Sequence, residues 1–147
     1  MGDRIHGFEK RMMLSEEQKN EIRQTMLDEQ RNLFICFAGE VLFTVSLVLP
    51  AMGNPPNDVV PGFVCLLIGI YFYPSNLALL LSPMICRSTN AGLRTFIGIF
   101  LLMSCFYAFV TVTINGMQEP RAGFWLWLSA FVVSAIGLLI PVRSSAD

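Results

Sequence analysis

Glu40 is the side chain best placed to do chemistry in this 147-residue chain, because it lies inside a long apolar run, Leu33–Met52. At about 1.5 Å per residue it stands roughly 10 Å from the start of that run. A carboxylate so deep in hydrocarbon is costly unless it is neutralised or paired. No Lys, Arg or His shares its depth, so desolvation favours the neutral acid. Asn76 and Ser134 reach a similar depth on the second and fourth apolar runs, with Tyr73 close by. Glu40, Tyr73, Asn76 and Ser134 therefore read as one polar layer within the membrane. Pro74 adds to that layer, since it has no N–H for the Ile70 carbonyl and leaves an acceptor at similar depth. Such a layer has two uses. It ties helices together or to a partner subunit, or it handles protons or cations.

Other chemistries lack their residues. The single histidine, His6, is far from any acid or nucleophile in the apolar runs, so no catalytic set is predicted and the chain reads as a non-enzyme. Cys36, Cys65, Cys86 and Cys105 contain no Cys-x-x-Cys pair and have no nearby His, so no metal site and no cofactor are predicted. Cys36, Cys65 and Cys105 fall inside apolar runs and read as small packing residues. Cys86 sits beside Arg87 at the end of the second run, a position open to reversible palmitoylation as well as to an ordinary interfacial thiol.

The elements that must position these groups are four apolar stretches, near Leu33–Met52, Val60–Leu81, Leu93–Ile114 and Ala122–Val142. Each has about the 20 residues that a helix needs to cross a hydrocarbon core. A composition 54% hydrophobic and 14% charged agrees with burial in lipid. Arg4, Lys10, Arg11, Lys19, Arg23 and Arg31 precede the first stretch, Arg87 stands between the second and the third with Arg94 at the very start of the third, and Arg143 follows the fourth. Only Arg121 is on the other side, and this bias predicts that both termini face the cytosol or its equivalent. The expected fold is all-α: an integral membrane four-helix bundle with an N-terminal cytosolic helix. Residues 1–32 form the cytosolic segment, 33–142 the membrane domain and 143–147 a cytosolic tail. The first stretch begins too late for a signal peptide and reads as a retained anchor.

Punctuation fits this division. Ser15-Glu16-Glu17-Gln18 reads as a capping box that starts a helix, while residues 1–11 show no periodicity. Pro61 and Pro120 suit the first turns of the second and fourth helices, and Thr89 or Asn90 can cap the third. Trp125 and Trp127 are expected to be interface anchors. Gly62, Gly69, Gly98, Ala130 and Gly137 are small enough for close helix packing.

The stretch Asn90-Ala91-Gly92-Leu93-Arg94-Thr95-Phe96-Ile97-Gly98, with the size, the four runs and the cytosolic termini, resembles the small COPI-associated Golgi membrane proteins. That family carries Gly-Arg-Gly-Leu at this point. Here Ala91 stands in place of the arginine and Arg94 follows the leucine. The resemblance covers about a quarter of the chain and leaves out the charged N-terminal helix. It implies a Golgi or endosomal tetraspan engaged in trafficking, with no catalytic residues to carry over. The expected partners are the lipid bilayer and other membrane proteins, in a homo- or hetero-oligomer, with no nucleic acid. The alternative is a small oligomeric proton- or cation-conducting protein that uses Glu40.

Overall fold

The computed structural model describes residues 16–54, 58–63, 72–88, 90–115 and 119–142. In chain order these form α1 (Glu16–Val48), β1 (Pro50–Asn54), β2 (Asp58–Pro61), α2 (Tyr73–Leu80), α3 (Ser82–Cys86), α4 (Ala91–Asn115) and α5 (Ala122–Leu139). Among the described residues, three segments are long and apolar enough to cross a membrane: Gln18–Val48, Ala91–Ile114 and Ala122–Leu139. The chain is mostly helical and reads as an integral membrane protein. Much of the second expected span, including Cys65 and Gly69, lies outside the described residues, as do the Ser15 capping position, Thr89 and the chain's first residues.

The described residues fall into two units, one of which runs from Arg31 to Pro141. Residues 16–30 belong to the other. There Lys19 Nζ meets Glu16 Oε1 at 2.7 Å, one turn apart and well exposed, so the pair contributes at most about 0.5 kcal/mol. Ile22, Met26 and Leu27 are also exposed.

Within the larger unit, α1 stops at Val48 rather than continuing to Met52, because Pro50 has no N–H with which to extend the ladder. The chain turns into an antiparallel hairpin in which Pro50 faces Pro61 and Met52 faces Val60. Sequence reasoning assigned Val60 and Pro61 to a helix. Both instead lie in β2, where a proline's missing donor is tolerated at a strand end. Pro120 likewise bridges to Met52 rather than entering the fourth helix, which starts after an extended Arg121 whose N–H bonds the Ala51 carbonyl at 2.9 Å.

The second apolar run also differs from a continuous helix. Pro74 lies in the first turn of α2, where its missing N–H costs nothing, so it is no mid-helix break. The Ile70 carbonyl is outside the described residues. Pro83 then restarts the backbone as α3, which continues to Cys86, beyond the expected end at Leu81. Asn90 caps α4 as expected, its Oδ1 accepting the Leu93 N–H at 3.0 Å.

α5 is the packing centre. Half of its spanning segment is buried, against 17% for α4. Ala130, Phe131, Ser134, Ala135 and Leu138 form its inner face, with Cys36 and Phe43 of α1 and Leu101 of α4 in the same core. Small residues set the spacing. A methyl on Gly39 would strike the Ser134 hydroxyl and come within 3.1 Å of the Ala130 carbonyl, and one on Gly98 would lie 2.8 Å from Leu139 Cγ. Gly62 sits against the Ser46 carbonyl.

Candidate functional site

The most organised polar site forms where α5 ends. Pro141 forces the residue before it out of helical geometry, and Ile140 is extended, with φ −63° and ψ 121°. The Ile140 carbonyl is therefore left without an intrahelical donor. Two side chains from other helices supply the bonds. Asn32 Nδ2 of α1 donates to it at 2.9 Å, and Arg94 Nη2 of α4 at 3.1 Å. Arg31 Nε donates to Asn32 Oδ1 at 3.4 Å, which orients the amide so that its NH2 faces Ile140.

Both donors are buried, Asn32 completely and Arg94 to 8% exposure. Arg94 is only one turn into α4, at the positive end of its own helix dipole, where a cation is disfavoured. The end of α5 compensates, because its unpaired carbonyls carry negative partial charge. This contact brings the start of α4 to the end of α5, as antiparallel neighbours require.

Pro141 has a second effect. Its nitrogen cannot donate to the Gly137 carbonyl, and the Cys86 thiol does so instead at 3.9 Å. Cys36 Sγ donates to the Ser134 carbonyl at 3.8 Å. Cys86, read from the sequence as an interfacial thiol open to palmitoylation, is buried and turned toward α5. Gly137 allows this approach, since a methyl there would lie 2.7 Å from Cys36 Sγ and 3.0 Å from the Asn32 carbonyl.

The four residues of the expected polar layer have different surroundings. Asn76 is buried, and its Oδ1 accepts a hydrogen bond from Trp127 Nε1 at 3.0 Å. Ser134 is buried against Gly39, and its hydroxyl has no hydrogen-bond partner among the described residues. Tyr73 is largely exposed. Glu40 is half-buried at the margin of α1, with Cys36, Gly39 and Phe43 on its inner side and Phe37, Val41 and Thr44 on its outer side. Among the described residues no group hydrogen-bonds the Glu40 carboxylate. Its backbone carbonyl accepts from Thr44 Oγ1 at 2.9 Å.

The tryptophans also part. Trp125 is 47% exposed, while Trp127 turns inward and packs edge-to-face on Phe72 and Phe131, with centroids 5.2 and 5.0 Å away. Its N–H is used on Asn76 rather than at a headgroup. Below this cluster Ser75 Oγ donates to Ser104 Oγ at 2.7 Å, joining α2 to α4.

Sequence reasoning missed Asn32 and the role of Arg94. Two signals were available: an Asn at the start of an apolar run, and Pro141 at the end of another, which guarantees exposed carbonyls.

These contacts define a helical membrane bundle held by side-chain bonds to helix ends. In comparison with protein-family models, curated proteins and solved structures, nothing matches this chain.

Proposed function

We propose that this chain is a four-span, non-enzymatic membrane protein with both termini in the cytosol, acting through lateral contacts with other membrane proteins as an accessory subunit or a trafficking component. The observation that supports this most is Glu40. Its carboxylate has no hydrogen-bond partner among the described residues and stands beside the exposed Phe37, Val41 and Thr44. An acid at that depth requires compensation, and a polar group on a neighbouring protein supplies it. The buried polar side chains of Asn32, Arg94, Asn76 and Trp127 are, by contrast, already engaged in holding the helices. The COPI-associated resemblance adds an endomembrane setting, in the Golgi or an endosome.

Deletion of Met1–Glu29 separates the two contact modes. A lateral mode keeps partner retention in native membranes after the deletion, whereas a cytosolic docking mode loses it. The same Glu40 also supports a second reading, a proton- or cation-conducting oligomer. Reconstituted vesicles distinguish the two: pH-dependent flux that disappears in a well-folded Glu40→Gln variant favours conduction and counts against the accessory reading.

A further inference from the structure

Two cysteines from different helices converge on one backbone position. Cys36 Sγ packs against Gly137 from α1, and Cys86 Sγ donates to the Gly137 carbonyl from α3. The two thiols are neighbours in the same buried cluster. Both are reduced and both are buried. Cys105, by contrast, is only partly buried, packs against the apolar clusters and donates to the Leu128 carbonyl at 3.7 Å.

The surroundings of the pair differ from an inert apolar core. Arg94 and Ser82 both stand beside Cys36. Arg94 Nε and the Ser82 hydroxyl are buried without hydrogen-bond partners among the described residues. Disulfide formation runs through a thiolate, so one thiol of the pair must give up its proton before the two sulfurs join. Pro83 and the break between α2 and α3 lie on the Cys86 side, where a short five-residue helix can adjust more easily than a continuous span.

We propose that Cys36 and Cys86 are a redox modification site, forming a reversible intramolecular disulfide with a hydroperoxide as oxidant. One sulfur takes an oxygen from hydrogen peroxide and becomes a sulfenic acid, releasing one water. The other sulfur attacks it, forming the S–S bond and releasing a second water. The two thiols lose two hydrogens and two electrons, and the peroxide becomes two waters. The product pins α1 to α3 across Gly137, beside the site where Asn32 and Arg94 hold Ile140. This inference stands on the thiol geometry and does not depend on the proposed function.

The test uses the full chain in lipid nanodiscs, treated with hydrogen peroxide, then denatured and alkylated with N-ethylmaleimide. The expected result is loss of alkylation at two of the four cysteines, a mass lower by two hydrogens before alkylation, and a linked Cys36–Cys86 peptide that dithiothreitol releases. A variant with Cys65→Ala and Cys105→Ala keeps the link, while Cys36→Ser abolishes it. Alkylation of all four cysteines after peroxide overturns the proposal. So does a link through Cys65 or Cys105, or oxidation that stops at a sulfinic acid on one sulfur.

Discussion

Arg94 and Glu40 are both ionisable side chains set in apolar helices, and the bundle treats them in opposite ways. Arg94 is buried to 8% exposure, and its charge is matched by a neighbouring helix end whose last carbonyl it shares with Asn32. Glu40 stands half-buried at a helix margin, and no group among the described residues hydrogen-bonds its carboxylate. A cation can be satisfied by the end of a helix, which always has spare carbonyls. A carboxylate in mid-helix faces only donors already used in the ladder, so it depends on a side chain or on another molecule. The first residue therefore serves the fold, and the second takes no part in the side-chain bonds that hold the described residues together.

Several substitutions sharpen this contrast, and the largest effect is expected at Gly137. Gly137→Val places branched carbon against Cys36 Sγ and the Asn32 carbonyl. It should destabilise the chain by about 3 kcal/mol or more, read as loss of folded protein in a denaturant titration in nanodiscs. Arg94→Met keeps most of the volume but removes one donor to Ile140 and the charge matched to the end of α5. A loss of about 2 kcal/mol is expected from a charged, buried hydrogen bond. A loss within error would mean that Asn32 alone caps the helix.

Asn32→Ala should cost less, about 1 kcal/mol, in keeping with the modest hydrogen bonds measured between membrane helices. Combined with Arg94→Met it should show coupling, because both donors share one acceptor. Strict additivity of the two changes would break the picture of a shared site. Trp127→Phe keeps the edge-to-face packing on Phe72 and Phe131 and removes only the bond to Asn76. A loss of roughly 0.6 kcal/mol is expected, with the aromatic near-ultraviolet dichroism of the cluster otherwise preserved.

Much of this architecture was legible in the sequence. Apolar length alone located α4 and α5 and the apolar part of α1, and Asn90 announced the start of α4. Short elements were less legible. The hairpin at Pro50–Pro61 has five- and four-residue strands, too short for alternation to show, and Pro61 was read as a helix start because proline suits both a first helical turn and a strand end. The polar site was hidden for another reason. Arg94 looks like a loop cation that sets orientation, and only its placement beside the end of α5 turns it into a cap. Trp125 and Trp127 are two residues apart and carry the same propensity. Helix rotation sends one out and the other in, and that rotation is fixed by packing around Asn76 and Phe72.

Glu40 provides the most direct measurement. The isolated chain in nanodiscs is compared by denaturant titration as wild type, Glu40→Gln and Glu40→Leu, beside Arg94→Met. If the Glu40 carboxylate is satisfied from outside the chain, both Glu40 variants should unfold within about 0.5 kcal/mol of wild type, the range of a substitution that breaks no internal contact. Arg94→Met should stand clearly below them. Glu40→Leu falling as far as Arg94→Met would show that Glu40 is bonded within the bundle, and would contradict its assignment to an external partner.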